Sequence, residues 1–389
     1  MAAPVLFLLQ KRKDGAIFMS KNGKPFSLPR QRRALLALEW AVGFQPAGSV
    51  WVLLLVLRGF SLVEIGLAEA VFHVVSLLCE LPSGLLADLM GRKRTLAASH
   101  VLFCLSALLM TASEGMGGVC LALAASAMGY NLQSGTREAI TYESMLQAGR
   151  EAEYLKFSSL QNGVYRFSDG GAMLLAGVTV LLDWRLAYLL DAGIALIGFG
   201  AAASLAEPVC AGRDGNAAAL RDLPAALGET VRGAWTLLRT DGTAVRIMLI
   251  NALVGACATL TRFFLQQRVE AAVTIPALLG PALFALGLGG GLAGLATGRL
   301  DRLPYGRAAA LTGCGTILCA LLARGTYLPV LLACGLASGL LDDALQLVSD
   351  KRLNDRFPSE QRATLISASS MAFSLFMIPL SPLFGGLFS

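Results

Sequence analysis

Apolar runs of membrane-crossing length recur along almost the whole chain, separated by short turns rich in glycine and basic residues. A helix needs about 20 residues to cross hydrocarbon, and the runs at 62 to 83 and 95 to 111 approach or reach that length. Between them lies Gly84-Leu-Leu-Ala-Asp88-Leu-Met-Gly91-Arg92-Lys93-Arg94, a tight charged hairpin. Inside lipid the backbone must satisfy its own polar groups, and long apolar runs without strand alternation select helices over a barrel. Only 15% of the 389 residues are charged and 55% are hydrophobic, against about 25% charged in soluble domains. That is too little polar surface to cover a water-soluble fold. The expected class is all-α and polytopic, one membrane unit and not a soluble domain with an anchor.

The spans fall near 35 to 57, 62 to 83, 95 to 114, 116 to 136, 156 to 182, 184 to 206, 244 to 266, 273 to 298, 307 to 325, 328 to 349 and 362 to 387. That is about eleven. Residues 1 to 34 form a basic cytoplasmic leader, in which Met1 and Met19 are alternative starts, and 35 to 206 an N-terminal six-helix bundle. Residues 207 to 243 form a cytoplasmic linker, and 244 to 389 a C-terminal bundle of about five helices. Within the linker Leu223, Leu227, Val231, Ala234 and Leu238 recur at the spacing of an amphipathic helix. Net charge is +6, but the basic residues follow topology and give no nucleic-acid patch. With the N-terminus cytoplasmic, most of them lie on inside segments, which predicts a multi-pass inner (plasma) membrane protein of that orientation.

Several chemistries are excluded. The eight cysteines lie mostly inside apolar runs with no C-x-x-C pair, and His73 and His100 are the only histidines, so no metal is expected. No Gly-x-x-x-x-Gly-Lys-Ser/Thr loop is present, so neither nucleotide nor an ATP-driven pump is expected. No enzyme activity and no cofactor are expected. The hairpin has a weak echo in Gly294-Leu-Ala-Thr-Gly298-Arg299-Leu-Asp301-Arg302, the internal repetition found in secondary transporters that bind substrate between two halves.

The segment Glu80-Leu-Pro82-Ser-Gly84-Leu-Leu-Ala-Asp88-Leu-Met-Gly91-Arg92-Lys93 resembles the loop between helices two and three of the major facilitator superfamily (MFS). Gly59-Phe-Ser61-Leu62-Val-Glu-Ile65-Gly66, Ser134-Gly135-Thr136-Arg137-Glu138-Ala139-Ile-Thr-Tyr142-Glu143-Ser144, Glu207-Pro208 and Arg362-Ala363-Thr364-Leu-Ile-Ser367 extend the similarity to a bacterial permease and efflux subgroup, across roughly 36 to 389. The resemblance implies two pseudo-symmetric helical bundles and twelve spans, so a twelfth crossing is expected to be missing after Phe384-Gly385-Gly386. Gly84 and Gly91 permit close helix approach and a tight bend; the resemblance implies that Asp88 and Arg92 belong to a cytoplasmic latch favouring the outward-open state, with Arg137 as a plausible partner. Asp169-Gly170-Gly171-Ala-Met-Leu-Leu-Ala-Gly177 lacks the proline that the superfamily's drug/proton antiporters carry in helix five, and the usual helix-four arginine motif is absent.

Within the spans, ionisable groups are costly and face a cavity or a partner. Glu69, His73, Ser76 and Glu80 line one face of a helix at spacings that keep them off lipid, and a Glu/His stripe is able to exchange protons. Glu80 serves equally as a structural contact. Ser159, Asn162, Arg166 and Asp169 share a second face, where Arg166 and Asp169 either neutralise each other or offer an anion-binding arginine. Asp342 and Asp343 are adjacent acids; one holds a proton, or they pair with Arg262 or Asn251. Glu39 either joins the same aqueous path or snorkels to the interface.

The expected function is proton-coupled movement of a small molecule by alternating access, with export favoured by the resemblance. A nutrient or metabolite importer and a truncated, non-transporting sensor are the alternatives. The expected partners are the lipid bilayer, a small-molecule substrate and protons. Asp88→Asn is expected to impair transport without abolishing membrane insertion, and unchanged rates in vesicles would remove the latch.

Overall fold

Local chemistry sets the helix boundaries in the computed structural model, which describes residues 26–209, 239, 241–357 and 362–389. The helices are α1 (Leu28–Gly43), α2 (Pro46–Ser49), α3 (Trp51–Leu57), α4 (Leu62–Met90), α5 (Arg92–Ala112), α6 (Met116–Gln133), α7 (Thr136–Gln147), α8 (Tyr154–Leu182) and α9 (Trp184–Ser204). After the linker come α10 (Gly242–Ala272), α11 (Leu279–Gly291), α12 (Ala293–Asp301), α13 (Tyr305–Leu322), α14 (Leu328–Asn354) and α15 (Arg362–Phe388). No strand occurs among the described residues. Ser61 and Glu64 close a capping box that starts α4, which satisfies two amides the helix cannot. Gly91, at φ 90°, ends α4 and turns the chain into α5, a conformation that a side chain makes costly.

Among the described residues, eight helical segments are long and apolar enough to cross a membrane by length and composition: α4, α5, α9, α10, Pro276–Asp301, α13, α14 and Leu365–Phe388. The three remaining runs read from the sequence are helical but stand outside that set. Polar residues, Arg166 and Asp169 among them, interrupt the apolar character of α8. The run expected at 35 to 57 is not one helix, because the chain leaves helical geometry at Phe44 and Gln45, and Pro46 has no amide to continue the ladder. Of the leader, only its last part is described, and α1 already begins inside it at Leu28. Most of the expected amphipathic linker helix, with Leu223, Leu227, Val231, Ala234 and Leu238, lies outside the described residues.

Residues 26–209 form one packed set, and 241–357 with 362–389 a second. In the first, α1 lies against α8 and α9, α5 against α6 and α9, and α4 against α6. In the second, α10 packs on α13, α14 and α15, while α14 also holds α11 and α12. The sets meet along α4 and α15, along α8 and α11, and where α3 touches α10. Two of these seams are glycine contacts at the end of the bundle that carries Gly59. A Cβ on Gly66 would meet the backbone of Ser381 and Pro382, and one on Gly177 would meet the backbone of Gly280. Small residues let helices approach this closely, and backbone cannot yield as a side-chain tip can. Gly177→Val is therefore expected to cost the closed arrangement about 1–3 kcal/mol, a population change of about 5- to 150-fold. In a cysteine-free background, a cysteine at Ser381 should react faster with a polar thiol reagent when Gly177→Val is present; equal rates would show the seam is loose.

Candidate functional site

The break after α1 is where the site begins. Carbonyls and amides freed by the missing turn must be paired inside the bundle. Asp191 of α9 accepts from the amides of Ala47 (3.1 Å) and Gly48 (3.0 Å). Gln266 of α10 donates to the Ser49 carbonyl at 2.9 Å. Both sets of helices thus hold the broken segment, and a cavity lies on each side of it. Gly48 and Phe263 border both.

The larger cavity, about 350 Å³, is walled by aromatics such as Trp51, Phe72 and Tyr130, with Glu69, His73 and Asp191 reaching its surface. Of the polar stripe of α4, Glu69, His73 and Ser76 line it, and Glu80 does not. His73 Nε2 lies 3.3 Å from Glu69 Oε1 and its Nδ1 3.2 Å from Ser374 Oγ of α15. Ser76 accepts from Asn131 at 3.0 Å, and Ser370 of α15 donates to Glu80 at 3.1 Å. The stripe is therefore also part of the α4–α15 seam.

The smaller cavity, about 280 Å³, is charged: Arg166, Asp169, Arg262 and Asp343 line it. Arg166 pairs with Asp343 at 3.2 Å, joining α8 to α14 across the two sets. Arg262 pairs with Asp342 at 3.3 Å, within the second set. Asp169 accepts from Ser49 at 3.3 Å. The intrahelical Arg166–Asp169 pair is thus replaced by partners on other helices, because α8 turns both side chains into the cavity. Asn251 finds Gln346 at 2.5 Å, so α10 and α14 are tied at two levels.

At the opposite end, Arg92 meets Asp88 at 3.0 Å and Glu143 at 3.5 Å. Glu207 accepts from the amides of Arg92 (2.7 Å) and Lys93 (2.9 Å), capping α5. Arg137 is not the partner of Asp88: it pairs at 2.8 Å with Glu39, which is buried and also accepts from Gln161 at 3.2 Å. Glu39 therefore does not snorkel. A buried carboxylate without compensation is costly, and Arg137 is the cation within reach. Gly84 has open space where a Cβ would sit, so of the two hairpin glycines Gly91 has the conformational role. Neither Asp88 nor Arg92 makes an ion pair with the second set among the described residues.

Asp191 was missed by motif and stripe reasoning. It stands alone in an otherwise apolar run, and that isolation in a spanning segment was the available signal.

A family model for the Major Facilitator Superfamily matches residues 40–323. The chain belongs to this superfamily. A structure of the nucleoside transporter NupG superposes with a TM-score of 0.72 at 13% identity, covering 92% of this chain and 90% of that one. A D-xylose-proton symporter gives 0.65 at 14%, covering 92% and 89%. Tetrameric PepTSo2 gives 0.62 at 14%, covering 93% and 94%. At such identities the likeness shows the MFS fold. A search of curated proteins gives no match. The chain is thus an all-α MFS membrane transporter.

The Glu39–Arg137 pair gives a test of the site's scaffold. Arg137→Gln should lower stability by about 3–5 kcal/mol, since it strands a buried carboxylate, and adding Glu39→Gln should restore part of it. Thermal unfolding in detergent of both variants and the double variant reads the coupling.

Proposed function

We propose that this MFS protein is a secondary transporter that couples proton movement to passage of a small molecule through the paired cavities, by alternating access between residues 35–206 and 244–389. The reading rests on one observation: Arg166, Asp169, Arg262, Asp342 and Asp343 cluster where the two sets of helices meet, three acids against two arginines. With three acids facing two arginines within the bundle, the surplus carboxylate is most cheaply held neutral, by a proton or a cationic substrate. Glu69 and His73 supply a second exchangeable pair beside the aromatic cavity.

With the N-terminus cytoplasmic, the glycine seams lie at the outside end and the Asp88–Arg92 turn inside. The arrangement is then closed outward. In this state the latch residues bind within their own half and are released from the other, as a gate that closes in the alternate state requires.

Export is the favoured direction. The fold likeness to a D-xylose-proton symporter supports a second reading, the same machine loading from outside.

Proteoliposomes with an imposed pH gradient, offered nucleosides, pentoses, small peptides and amphipathic cations, test the coupling and the direction. Asp343→Asn combined with Arg166→Gln, which removes one charge of each sign and so keeps the net charge of the cluster, should lower gradient-driven transport at least about tenfold while substrate exchange at equal pH persists. Loss of both processes would make the pair structural, and transport indifferent to the gradient would end the proton proposal.

A further inference from the structure

At the end of the bundle that carries Gly91, α10 and α13 begin and α14 ends around a cavity of about 420 Å³. It lies apart from both central cavities and shares none of their lining residues. Its charged lining consists of Arg246, Arg352 and Arg356, with Asp355 as the one carboxylate.

The three guanidiniums are in different states. Arg356 pairs with Asp241 at 3.0 Å. The amide of Ala244, then Arg356 and the amide of Thr243, hold the Asp241 carboxyl below the usual carboxylate range, so that pair stays charged. Arg352 is fixed at 2.6 Å from the Leu303 carbonyl and 3.3 Å from that of Asp301, with its guanidinium over the Tyr305 ring. Carbonyls orient it but leave its charge without a carboxylate. Arg246 makes no hydrogen bond or ion pair among the described residues. Tyr305, whose hydroxyl donates to the Ile247 carbonyl at 3.0 Å, forms the wall, and Ile247 and Ile250 continue it one turn along α10 into the apolar bundle.

We infer that this cavity is a binding site for a phosphate-bearing anion, held by Arg246 and Arg352. The planar forks of two arginines suit phosphate oxygens, which accept paired N–H donors. The cavity opens at the end of three helices and continues along isoleucines, as a site for the headgroup of an anionic lipid does, with the acyl chains lying outward along the helix. Free phosphate offers the same chemistry without the chains. Occupancy would tie α10, α13 and α14 together.

The full-length chain, purified and delipidated in a neutral detergent, is heated with phosphatidylglycerol, with phosphatidylcholine or with inorganic phosphate. Phosphatidylglycerol should raise the unfolding midpoint by about 2 °C or more over phosphatidylcholine, and Arg246→Gln should remove most of that difference. Because the Arg246 side chain has no partner to lose among the described residues, the variant should unfold like the parent in phosphatidylcholine, and this comparison separates a lost site from a damaged fold. Equal shifts from the two lipids, or a phosphatidylglycerol shift that survives Arg246→Gln, would overturn the site. Inorganic phosphate reproducing an Arg246-dependent shift would assign it to the free ion, and no effect of phosphate beside a lipid effect would assign it to the headgroup.

Discussion

An unpaired backbone group inside a bilayer costs several kcal/mol, and the break between Gly43 and Trp51 exposes several at once. The structure answers with one carboxylate from α9 and one amide from α10. Because Asp191 and Gln266 belong to different sets of helices, the repair of a local defect ties the sets together at the middle of the molecule. The two cavities are then a consequence: a helix that stops and restarts leaves space beside it, and groups that satisfy its ends line that space. Discontinuous helices around binding sites follow from this accounting.

The same accounting orders the ionisable side chains. Charged groups deep in the bundle find partners on other elements, Glu39 with Arg137, Arg262 with Asp342 and Arg166 with Asp343, while Glu69 pairs within α4 with His73, whose other ring nitrogen reaches Ser374 of α15. Near the helix ends the logic is local. Glu207 caps α5, and Lys351 reaches Asp301 at 2.5 Å, near the echo of the hairpin. The two turns are alike in sequence and each closes on its own set, which leaves the joint between sets to the glycine seams and the few polar contacts of α4, α8, α10 and α15.

What the sequence shows and hides follows from range. Helical class, the polar stripe of α4 and the shared face of Arg166 and Asp169 were legible, since i, i+3 and i, i+4 spacing is a property of one helix. Partners were not. Asp88 was expected near Arg137, and Arg166 near Asp169; the partners found for Arg137 and Arg166 are 98 and 177 residues away in sequence. Spacing carries no information at that distance. The break at Phe44–Gln45 was hidden for another reason: an apolar run with one proline reads as a continuous helix unless the residues that repair the gap are known.

The ion pairs differ in how dry they are, and that difference bears on the roles proposed for them. Glu39 and Arg137 have side chains 9% and 21% exposed, and the pair lies within the first set. Breaking it would leave a buried charge, so it acts as a fixed rivet. Arg166 and Asp343 are 49% and 29% exposed, both facing the charged cavity, and they alone of these pairs join α8 to α14. A wet pair contributes about 0–1 kcal/mol, because water replaces each partner readily. Under the proposed alternating access, a contact between the two moving halves must be cheap to break, or the cycle stalls in one state; one within a half must be expensive, or the half does not move as a unit. Placing the wet pair across the joint and the dry pair inside a half meets both demands with the same residue types.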